Sequence, residues 1–297
     1  MTVRPEILCI GSVLWDVIGR SPSTMRVGSD VPGRITRLPG GVALNIAMTL
    51  RKFGLSPALL SVVGDDAEGR ELMEECAALG LNIDHVYRST DLPTDRYMAV
   101  EGQNGLIAAI ADAHSLEQAG SKILTPLVDG LLGNATDPFS GVIALDGNLT
   151  ESLLREIVSM EAFQQSDLRV APASPGKADR LVPMLGHSGA TLYVNLEEAG
   201  LICLETFETS EQAARALLSK GANRVLVTDG GNATCDGRSD SVVSLQPPEV
   251  MVTRVTGAGD TFMAAHIAAE MRGLDREHSL QAALDAAATY VSGDIGA

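Results

Sequence analysis

The chain has 297 residues, of which 45% are apolar and 3% aromatic, and its formal net charge is −16. This length and apolar content are enough for one large α/β domain or two average ones. The negative charge repels phosphate backbones and the few aromatic residues offer little stacking surface, so we expect no nucleic-acid partner.

The N-terminus has no basic stretch followed by an apolar run, and no apolar run is long enough to span a bilayer. The four cysteines are scattered without metal-ligand spacing, which is typical of reduced thiols in the cytosol. We therefore expect a cytoplasmic protein with no membrane partner.

Short apolar runs alternate with helical patterns along the chain. Runs bounded by polar or turn residues predict strands buried on both faces, and the alternation predicts a mostly parallel sheet covered by helices on both sides. The predicted strands are 7–10, 58–63, 142–145, 192–194 and 225–227, and the predicted helices are 43–53, 70–79, 151–160, 211–219 and 261–272.

Two segments break this alternation. Segment 13–39 is rich in Gly, Pro, Ser and Arg and has no helical period, whereas segment 97–110 is typical of two strands joined at Asn104-Gly105, a strong hairpin signal. Together they predict a small β-structure that protrudes from the main domain as a lid, over about 13–39 and 95–112.

The stretch from Thr256 to Phe262 is the most informative in the chain. Gly257, Ala258 and Gly259 precede a predicted helix, whose N-terminal N–H groups can bind the charge on a transferring phosphoryl group. Asp260 at its mouth can accept the proton of an attacking hydroxyl. The alternative is a glycine-rich turn in which Asp260 caps the helix.

Three further motifs lie where ligands gather in α/β sheets. Gly40 and Gly41 come before a helix that carries Asn45 on its first turns, for which a loop with a polar cap is the alternative. Asn195 and Glu198 follow a strand and could hold hydrated Mg²⁺ and phosphate oxygens, or form a capping box instead. The motif Gly64-Asp65-Asp66 also follows a buried strand, and a strand-end turn is its alternative.

These elements, in this order, resemble the ribokinase-like (PfkB-type) carbohydrate kinase family over nearly the whole chain from Ile7. The resemblance implies one kinase domain over 1–297, with a three-layer α/β/α sandwich, a β-lid, and ATP and Mg²⁺ as cofactors. The partner would be a small sugar or nucleoside, and a homodimer through the lid is a further expectation. For the acceptor, the resemblance implies that Asp16, Gly40, Gly41 and Asn45 bind the sugar and that Asp260 is the base. For the nucleotide, it implies contact by Thr228 and Gly230, organisation of phosphate by Asn195, and binding of Mg²⁺ through water by Glu198. The implied anion hole consists of Gly257, Ala258 and Gly259.

Within that family the chain looks most like the pseudouridine kinases. The stretches that carry this likeness are 108–112, 145–149, 172–177 and 255–256, and Asp112 is a candidate partner for the uracil edge, with a solvated hairpin end as the alternative. Ribose, fructose and adenosine stay as other acceptors. A sugar or nucleoside sensor without catalysis is a different class of function, which the presence of Asp260 argues against.

Arg254 is a departure from the family pattern, because many relatives carry aspartate there. The resemblance implies that this aspartate helps to bind potassium in members that the ion activates. A guanidinium cannot ligate a cation, so Arg254 argues against potassium dependence. Arg254 either points inward and replaces the charge of the ion, or points to solvent.

Overall fold

The computed structural model describes residues 4–293, in which the apolar runs form the strands of an eight-stranded sheet. A four-stranded and a two-stranded sheet accompany it. The strands are β1 (Ile7–Ile10), β2 (Leu14–Arg20), β3 (Arg34–Gly40), β4 (Ala58–Leu60), β5 (Val62–Gly64), β6 (Tyr87–Ser89), β7 (Arg96–Gly102), β8 (Gly105–Asp112), β9 (Val142–Asp146), β10 (Asp167–Ala171), β11 (Ala190–Asn195), β12 (Arg224–Thr228), β13 (Thr234–Arg238) and β14 (Val242–Leu245).

The main sheet has the order β14-β13-β12-β11-β10-β9-β1-β4. The strands from β12 to β4 are parallel, so their carboxyl ends meet at one edge, and β13 and β14 join antiparallel. The predicted strand 58–63 is wrong in one respect. It divides at the buried Ser61, whose hydroxyl donates to the Gly11 carbonyl at 2.5 Å, and its second half pairs with β6 in the two-stranded sheet.

Helices cover both faces of the main sheet, which gives the predicted three-layer sandwich. Alternate residues of one strand enter opposite layers: Ile7 packs with the layer of α1, α2, α7 and α8, whereas Leu8 packs with that of α3 to α6. The helices are α1 (Val42–Lys52), α2 (Ala67–Ala78), α3 (His114–Ala119), α4 (Glu151–Ser159), α5 (Leu196–Cys203), α6 (Ser210–Ser219), α7 (Ala258–Met271) and α8 (Arg276–Ser292), with 3-10 segments Gly120–Leu127, Glu161–Phe163 and Pro175–Gly186.

The two irregular segments form the four-stranded sheet β3-β2-β7-β8, which we call the lid sheet. The predicted β7–β8 hairpin is present, but its turn is Gln103-Asn104, one residue before the predicted junction, because Gly105 already pairs with Gly102. The base of the lid sheet is fixed to α2. Trp15 donates its indole N–H to the carbonyl of Glu68 at 3.0 Å, and the Glu68 carboxylate pairs with Arg96 at 2.7 Å.

Helix α7 is held on the sheet by buried polar side chains near its C-terminal end. His266 is fully buried, and its Nδ1 lies 2.8 Å from the hydroxyl of Tyr193. Glu270 accepts from Arg169 at 2.5 Å and from Arg224 at 2.7 Å. Burial lowers the pKa of His266 to about 4, so the imidazole is neutral. These contacts fix the axis of the helix whose other end enters the site.

Candidate active site

Asp260 lies in the first turn of α7, at the edge where the parallel strands end. The helix begins at Ala258 rather than at the predicted residue 261, with Gly257 as its N-cap. The Asp260 side chain does not cap the helix. Its Oδ2 accepts a hydrogen bond of 2.9 Å from the amide nitrogen of Asn45 on α1. The alternative in which Asp260 caps its own helix is therefore wrong.

The surroundings of Asp260 make its carboxylate unusually basic. Burial raises the pKa of Asp260 to about 7, and the hydrogen bond from Asn45 only partly offsets this. The negative charges of Asp146, Asp16 and Glu198 raise it further. A carboxylate with a pKa near neutrality can both hold and release a proton at the pH of a cell, which suits a general base.

Asp16 projects from β2 of the lid sheet toward the same site. Gly40 at the end of β3 lies directly against it, because a Cβ on Gly40 would come within 2.1 Å of the Asp16 Oδ2. Burial raises the pKa of Asp16 to about 6. The predicted neighbours Asp16 and Gly40 are thus brought together, and only glycine at position 40 leaves space for the carboxylate.

Gly41 is the N-cap of α1 and has a φ of 102°, a conformation that favours glycine. A Cβ there would lie 2.5 Å from the carbonyl oxygen of Ser12. The Ser12 hydroxyl accepts the first free N–H of α1, from Val42, at 2.9 Å. The side chain that caps α1 is therefore that of Ser12, 30 residues earlier in the chain. The Asn45 side chain is not used as a cap and bonds to Asp260 instead.

Asp146, at the end of β9, is a buried carboxylate that the sequence predictions do not assign. Its Oδ2 accepts the Ser12 N–H at 2.7 Å and the Ser12 hydroxyl, and its Oδ1 accepts the N–H of Asn148 at 2.7 Å. Gly11 passes so close that a Cβ would overlap the Asp146 side chain. The one feature of the sequence that could have indicated Asp146 as a site residue is its position at the carboxyl end of a predicted parallel strand.

Asn148 and Lys177 extend this group toward the 3-10 segment after β10. The Lys177 ammonium donates to the Asn148 Oδ1 at 2.6 Å, and Arg180 donates to the backbone carbonyl of Asn148 at 3.0 Å. Burial, together with the positive charge of Arg180, lowers the pKa of Lys177. Both Asn148 and Lys177 lie in the stretches that resemble pseudouridine kinases, but the sequence gives no reason to pair them.

The residues before α7 form a tight turn. The N–H of Ala258 donates to the Val255 carbonyl at 3.0 Å, and Gly257 has φ 87° and ψ −1°. The Ala258 N–H is therefore already used within the turn. The first-turn N–H groups of Gly259 and Asp260 have no acceptor within the helix, because a helix begins with such free donors. The Gly257 N–H, just before the helix, likewise has no backbone acceptor among the described residues. Gly257 and Gly259 thus suit the predicted anion hole better than Ala258 does.

Asn195 and Glu198 form the capping box that was the alternative for this pair. The Asn195 side chain accepts the Glu198 N–H, and the Glu198 carboxylate accepts the Asn195 N–H, both at 2.9 Å. Glu198 is 8% exposed, and burial raises its pKa to about 7. Among residues 4–293, no three or more His, Cys, Asp and Glu side chains cluster to hold a metal. A single carboxylate still fits Mg²⁺, which usually keeps several waters and binds substrate phosphates.

Thr228 and Gly230 lie beside this pair. Thr228 ends β12 and is the register partner of Asn195 on β11, so both stand at the carboxyl edge of the sheet. Gly230 has a φ of 55° in the following turn, with open space where a Cβ would be. Their predicted contact with nucleotide remains a prediction.

Two other candidates lie away from this group. On β7, Tyr97 is the register partner of Asp16, and the preceding residue, Arg96, is the register partner of Asp112. Because successive residues of a strand point to opposite faces, Asp112 lies on the face of the lid sheet opposite to Asp16. Asp112 is exposed, as expected of a solvated hairpin end, and we assign it no substrate contact. Asp66 caps α2 by accepting the Gly69 N–H at 2.6 Å, so the motif 64–66 is a strand-end turn.

Arg254 is exposed and not turned inward, as the second of the two expectations has it, but its side chain lies along the end of α8. Its guanidinium lies 3.9 Å from the centre of the Tyr290 ring, and its Nε donates to the Tyr290 carbonyl at 2.7 Å. The positive charge therefore sits at the C-terminal end of α8, where the helix dipole favours a cation.

Comparison with known proteins gives a consistent result. Residues 4–294 match the pfkB family of carbohydrate kinases. Pseudouridine kinase of Escherichia coli (strain K12) is 28% identical over 269 residues, covering 89% of this chain and 83% of that protein. Guanosine-inosine kinase of Exiguobacterium acetylicum is 25% identical over 297 residues, covering 97% and 94%. The structure of Arabidopsis thaliana ribokinase complexed with ribose and ATP superposes with a TM-score of 0.75 at 20% identity, covering 99% and 95%.

The fold and this family match define a phosphotransferase that acts on a hydroxyl group. The chain belongs to the pfkB family of carbohydrate kinases. Kinases of this family act on small sugars and nucleosides and use ATP with a divalent metal. Within residues 4–293, none of the helices is both long and apolar enough to cross a membrane.

Proposed function

We propose that this kinase transfers the terminal phosphate of ATP to pseudouridine and forms pseudouridine 5′-phosphate. One observation carries the choice of acceptor. Two of the stretches that resemble pseudouridine kinases, 145–149 and 172–177, contact each other through Lys177 and Asn148, beside Asp146. Asp146 in turn acts electrostatically on Asp260. The stretches thus converge on the site rather than lying apart on the surface.

Two of the relatives support a nucleoside acceptor. Both curated relatives compared above have names that specify nucleosides as acceptors. A nucleoside offers a ribose hydroxyl for the reaction and a base edge that requires polar partners. Asn148 and Lys177 supply an amide and an ammonium of this kind, and Asp16 and Asn45 would bind the ribose hydroxyls near Asp260.

The reaction follows from the positions of the side chains. The carboxylate of Asp260 accepts the proton of the attacking hydroxyl, whose oxygen forms a bond to the γ-phosphorus. The bond from that phosphorus to the β,γ-bridging oxygen breaks, and ADP leaves. The N–H groups of Gly257 and Gly259 stabilise the charge that develops on the phosphoryl oxygens, with the contribution of Ala258 limited by its bond to Val255.

Nucleotide and metal belong to the neighbouring strand ends. Thr228 and Gly230 would contact the nucleotide, Asn195 would bind its phosphates, and Glu198 would hold Mg²⁺ through water. Thr228 and Asn195 are register partners at the same edge of the sheet, which supports this grouping. When bound, Mg²⁺ neutralises the charge of the phosphates. Burial raises the pKa of Glu198 to about 7, and the positive charge of a bound Mg²⁺ would lower that pKa and favour the carboxylate.

The proposal includes one kinase domain whose lid sheet closes over the acceptor and also joins two copies of the chain. Ile35, Met98 and Ile110 share the face of the lid sheet away from Asp16 and are 79%, 47% and 62% exposed. Such an apolar sheet face fits a symmetric contact between two copies. The four cysteines are buried and unpaired, in keeping with a cytoplasmic location.

A panel assay tests the choice of acceptor. ADP release with Mg²⁺ and ATP is measured with pseudouridine, uridine, adenosine, ribose and fructose at equal concentrations. We expect the highest kcat/KM for pseudouridine. A clear preference for ribose, fructose or adenosine would show that pseudouridine is the wrong acceptor, while the assignment as a kinase would stand. Binding of pseudouridine without ADP release in the presence of ATP would instead favour a sensor without catalysis.

A further inference from the structure

The segment between β14 and α7 carries the turn at the site but belongs to no strand or helix. Residues 251–256 are exposed, so packing does not fix them. Their contacts are instead with the last turn of α8. The N–H of Thr253 donates to the Val291 carbonyl at 2.8 Å, and Arg254 donates to the Tyr290 carbonyl. The last carbonyls of a helix have no N–H partner four residues further on, so they can accept hydrogen bonds from a loop. The Tyr290 carbonyl also accepts a hydrogen bond of 3.3 Å from the Gly293 N–H.

Tyr290 makes the contact nearest to the site. Its hydroxyl donates a hydrogen bond of 2.8 Å to the carbonyl of Thr256. Thr256 and Gly257 are the two central residues of the turn closed by the Ala258 N–H and the Val255 carbonyl. The φ of 87° and ψ of −1° at Gly257 are those of the third residue of a type II turn.

The direction of the central peptide distinguishes a type II turn from a type I turn. A trans peptide is planar, so its C=O and N–H point in opposite directions. The hydroxyl that holds the Thr256 carbonyl therefore also fixes the direction of the Gly257 N–H. If the peptide rotated, the carbonyl oxygen would take the place of that N–H donor, and an acceptor would face the phosphoryl group.

Two further contacts support this arrangement. A Cβ on Gly257 would lie 2.5 Å from the Tyr290 hydroxyl, so the tyrosine occupies the space that any other residue would need. Arg254 stacks on the same ring at 3.9 Å and is fixed by its bond to the Tyr290 carbonyl. The guanidinium thus covers one face of the ring and limits its rotation.

We propose that Tyr290 is a positioning residue, held by Arg254, whose hydroxyl aims the Gly257 N–H at the transferring phosphoryl group. This inference rests on the proposed role of the Gly257–Gly259 turn. It adds to the kinase site Tyr290 from α8 and Arg254 from the segment before α7. Arg254 acts only through Tyr290 in this arrangement.

The test uses Tyr290→Phe, which removes the hydroxyl and keeps the ring, and Arg254→Met, which keeps length but removes the charge. With the best acceptor of the panel, we expect kcat to fall about tenfold in Tyr290→Phe, as for one lost hydrogen bond, and less in Arg254→Met. The KM for the acceptor and the melting temperature should hardly change. The double variant should be no slower than Tyr290→Phe alone.

Tyr87→Phe on β6 is the matched control, because Tyr87 lies away from the turn, and its kcat should equal that of the wild type. A second readout is Gly257→Ala, which should lower kcat by a smaller factor in the Tyr290→Phe background, where the hydroxyl no longer overlaps the new Cβ. Wild-type kcat in Tyr290→Phe, or equal effects of Gly257→Ala in both backgrounds, would overturn the inference.

The two proposals fail in different ways. If pseudouridine is a poor acceptor, the choice of acceptor fails and the variants are compared with the acceptor that is phosphorylated fastest. If no acceptor is phosphorylated, the same comparison is made on the slow hydrolysis of ATP by water, which uses the same N–H donors. A tenfold loss there supports the positioning role, and equal rates reject it.

Discussion

The amide of Asn45 donates a hydrogen bond of 2.9 Å to the carboxylate of Asp260, although 215 positions separate the two residues in the chain. The bond joins the first turns of α1 and α7, so both glycine motifs of the sequence meet at one point. It holds the carboxylate in one orientation and partly offsets the rise in its pKa that burial causes.

Asp260→Asn should nearly abolish turnover and make the protein more stable. Loss of the proton acceptor costs roughly two to four orders of magnitude in kcat. The folded-state pKa of Asp260, about 7, lies above its ordinary value of 3.8, so the folded state carries the full cost of a buried charge above pH 7. After allowance for partial exposure, we expect a gain of about 1–2 kcal/mol and a rise in melting temperature of roughly 2–4 °C at pH 8.

The pH dependence of that gain is the check. It should shrink as pH falls from 7 to 4, because folding then protonates the carboxyl, and this proton uptake costs less free energy as the pH nears 3.8. Asp84→Asn, at an exposed position, should change neither stability nor turnover. Near-normal turnover in Asp260→Asn would remove this residue from the role of base.

The rate should depend on pH through the same carboxyl group. For the wild type, kcat/KM should rise with pH through about 7, the pKa of Asp260. In Asn45→Ala the hydrogen bond that lowers this pKa is gone, so the rise should move to higher pH by up to about one unit. Calorimetric titration of ATP binding over the same pH range separates the ionisation of the nucleotide. An unshifted curve in Asn45→Ala would mean that another group controls the rate.

Asp16→Ala should weaken the binding of the acceptor more than the binding of ATP. A carboxylate that accepts two sugar hydroxyls contributes roughly 1.5–3 kcal/mol, so the KM for the acceptor should rise about 10- to 150-fold. Asp112→Ala is the matched control on the opposite face of the lid sheet and should leave both constants unchanged. A loss of ATP affinity with normal acceptor affinity would show that Asp16 has been assigned to the wrong ligand.

Turnover should change little when potassium is replaced by a large organic cation at equal ionic strength. The guanidinium of Arg254 lies on the Tyr290 ring and cannot ligate a cation. Ionic strength must be matched because screening alone alters ATP binding. A several-fold loss of rate without potassium would reveal a cation site that persists beside Arg254.

The sheet and the lid could be predicted because their signals are local. Buried parallel strands such as β1 and β12 appear as short apolar runs, and the Asn-Gly pair at 104–105 marks the hairpin. The start of α7 was misplaced because its cap is Gly257 in the left-handed conformation, where the sequence offers Asp260 as the more usual capping side chain.

From the sequence, only the site residues that lie in a recognisable motif could be assigned a role. Ser12 and Asp146 contact each other across 134 positions. Ser12 belongs to no motif, and the stretch 145–149 that contains Asp146 gives no reason to pair the two. The contact of Tyr290 with Thr256 joins residues 34 apart through a helix end that ordinary helix patterns do not distinguish. Such contacts depend on the packing of α8 and the register of the sheet, which no local pattern contains.

The outer strands of the two larger sheets differ in length and in exposure. The main sheet ends in β4 and β14, of three and four residues, which offer few free backbone groups. The lid sheet ends in β8, whose eight residues Gly105–Asp112 carry no charge before Asp112 and are largely exposed. A long, uncharged edge strand is a template for aggregation. During synthesis or heating, irreversible association should therefore begin at the lid hairpin rather than at the core.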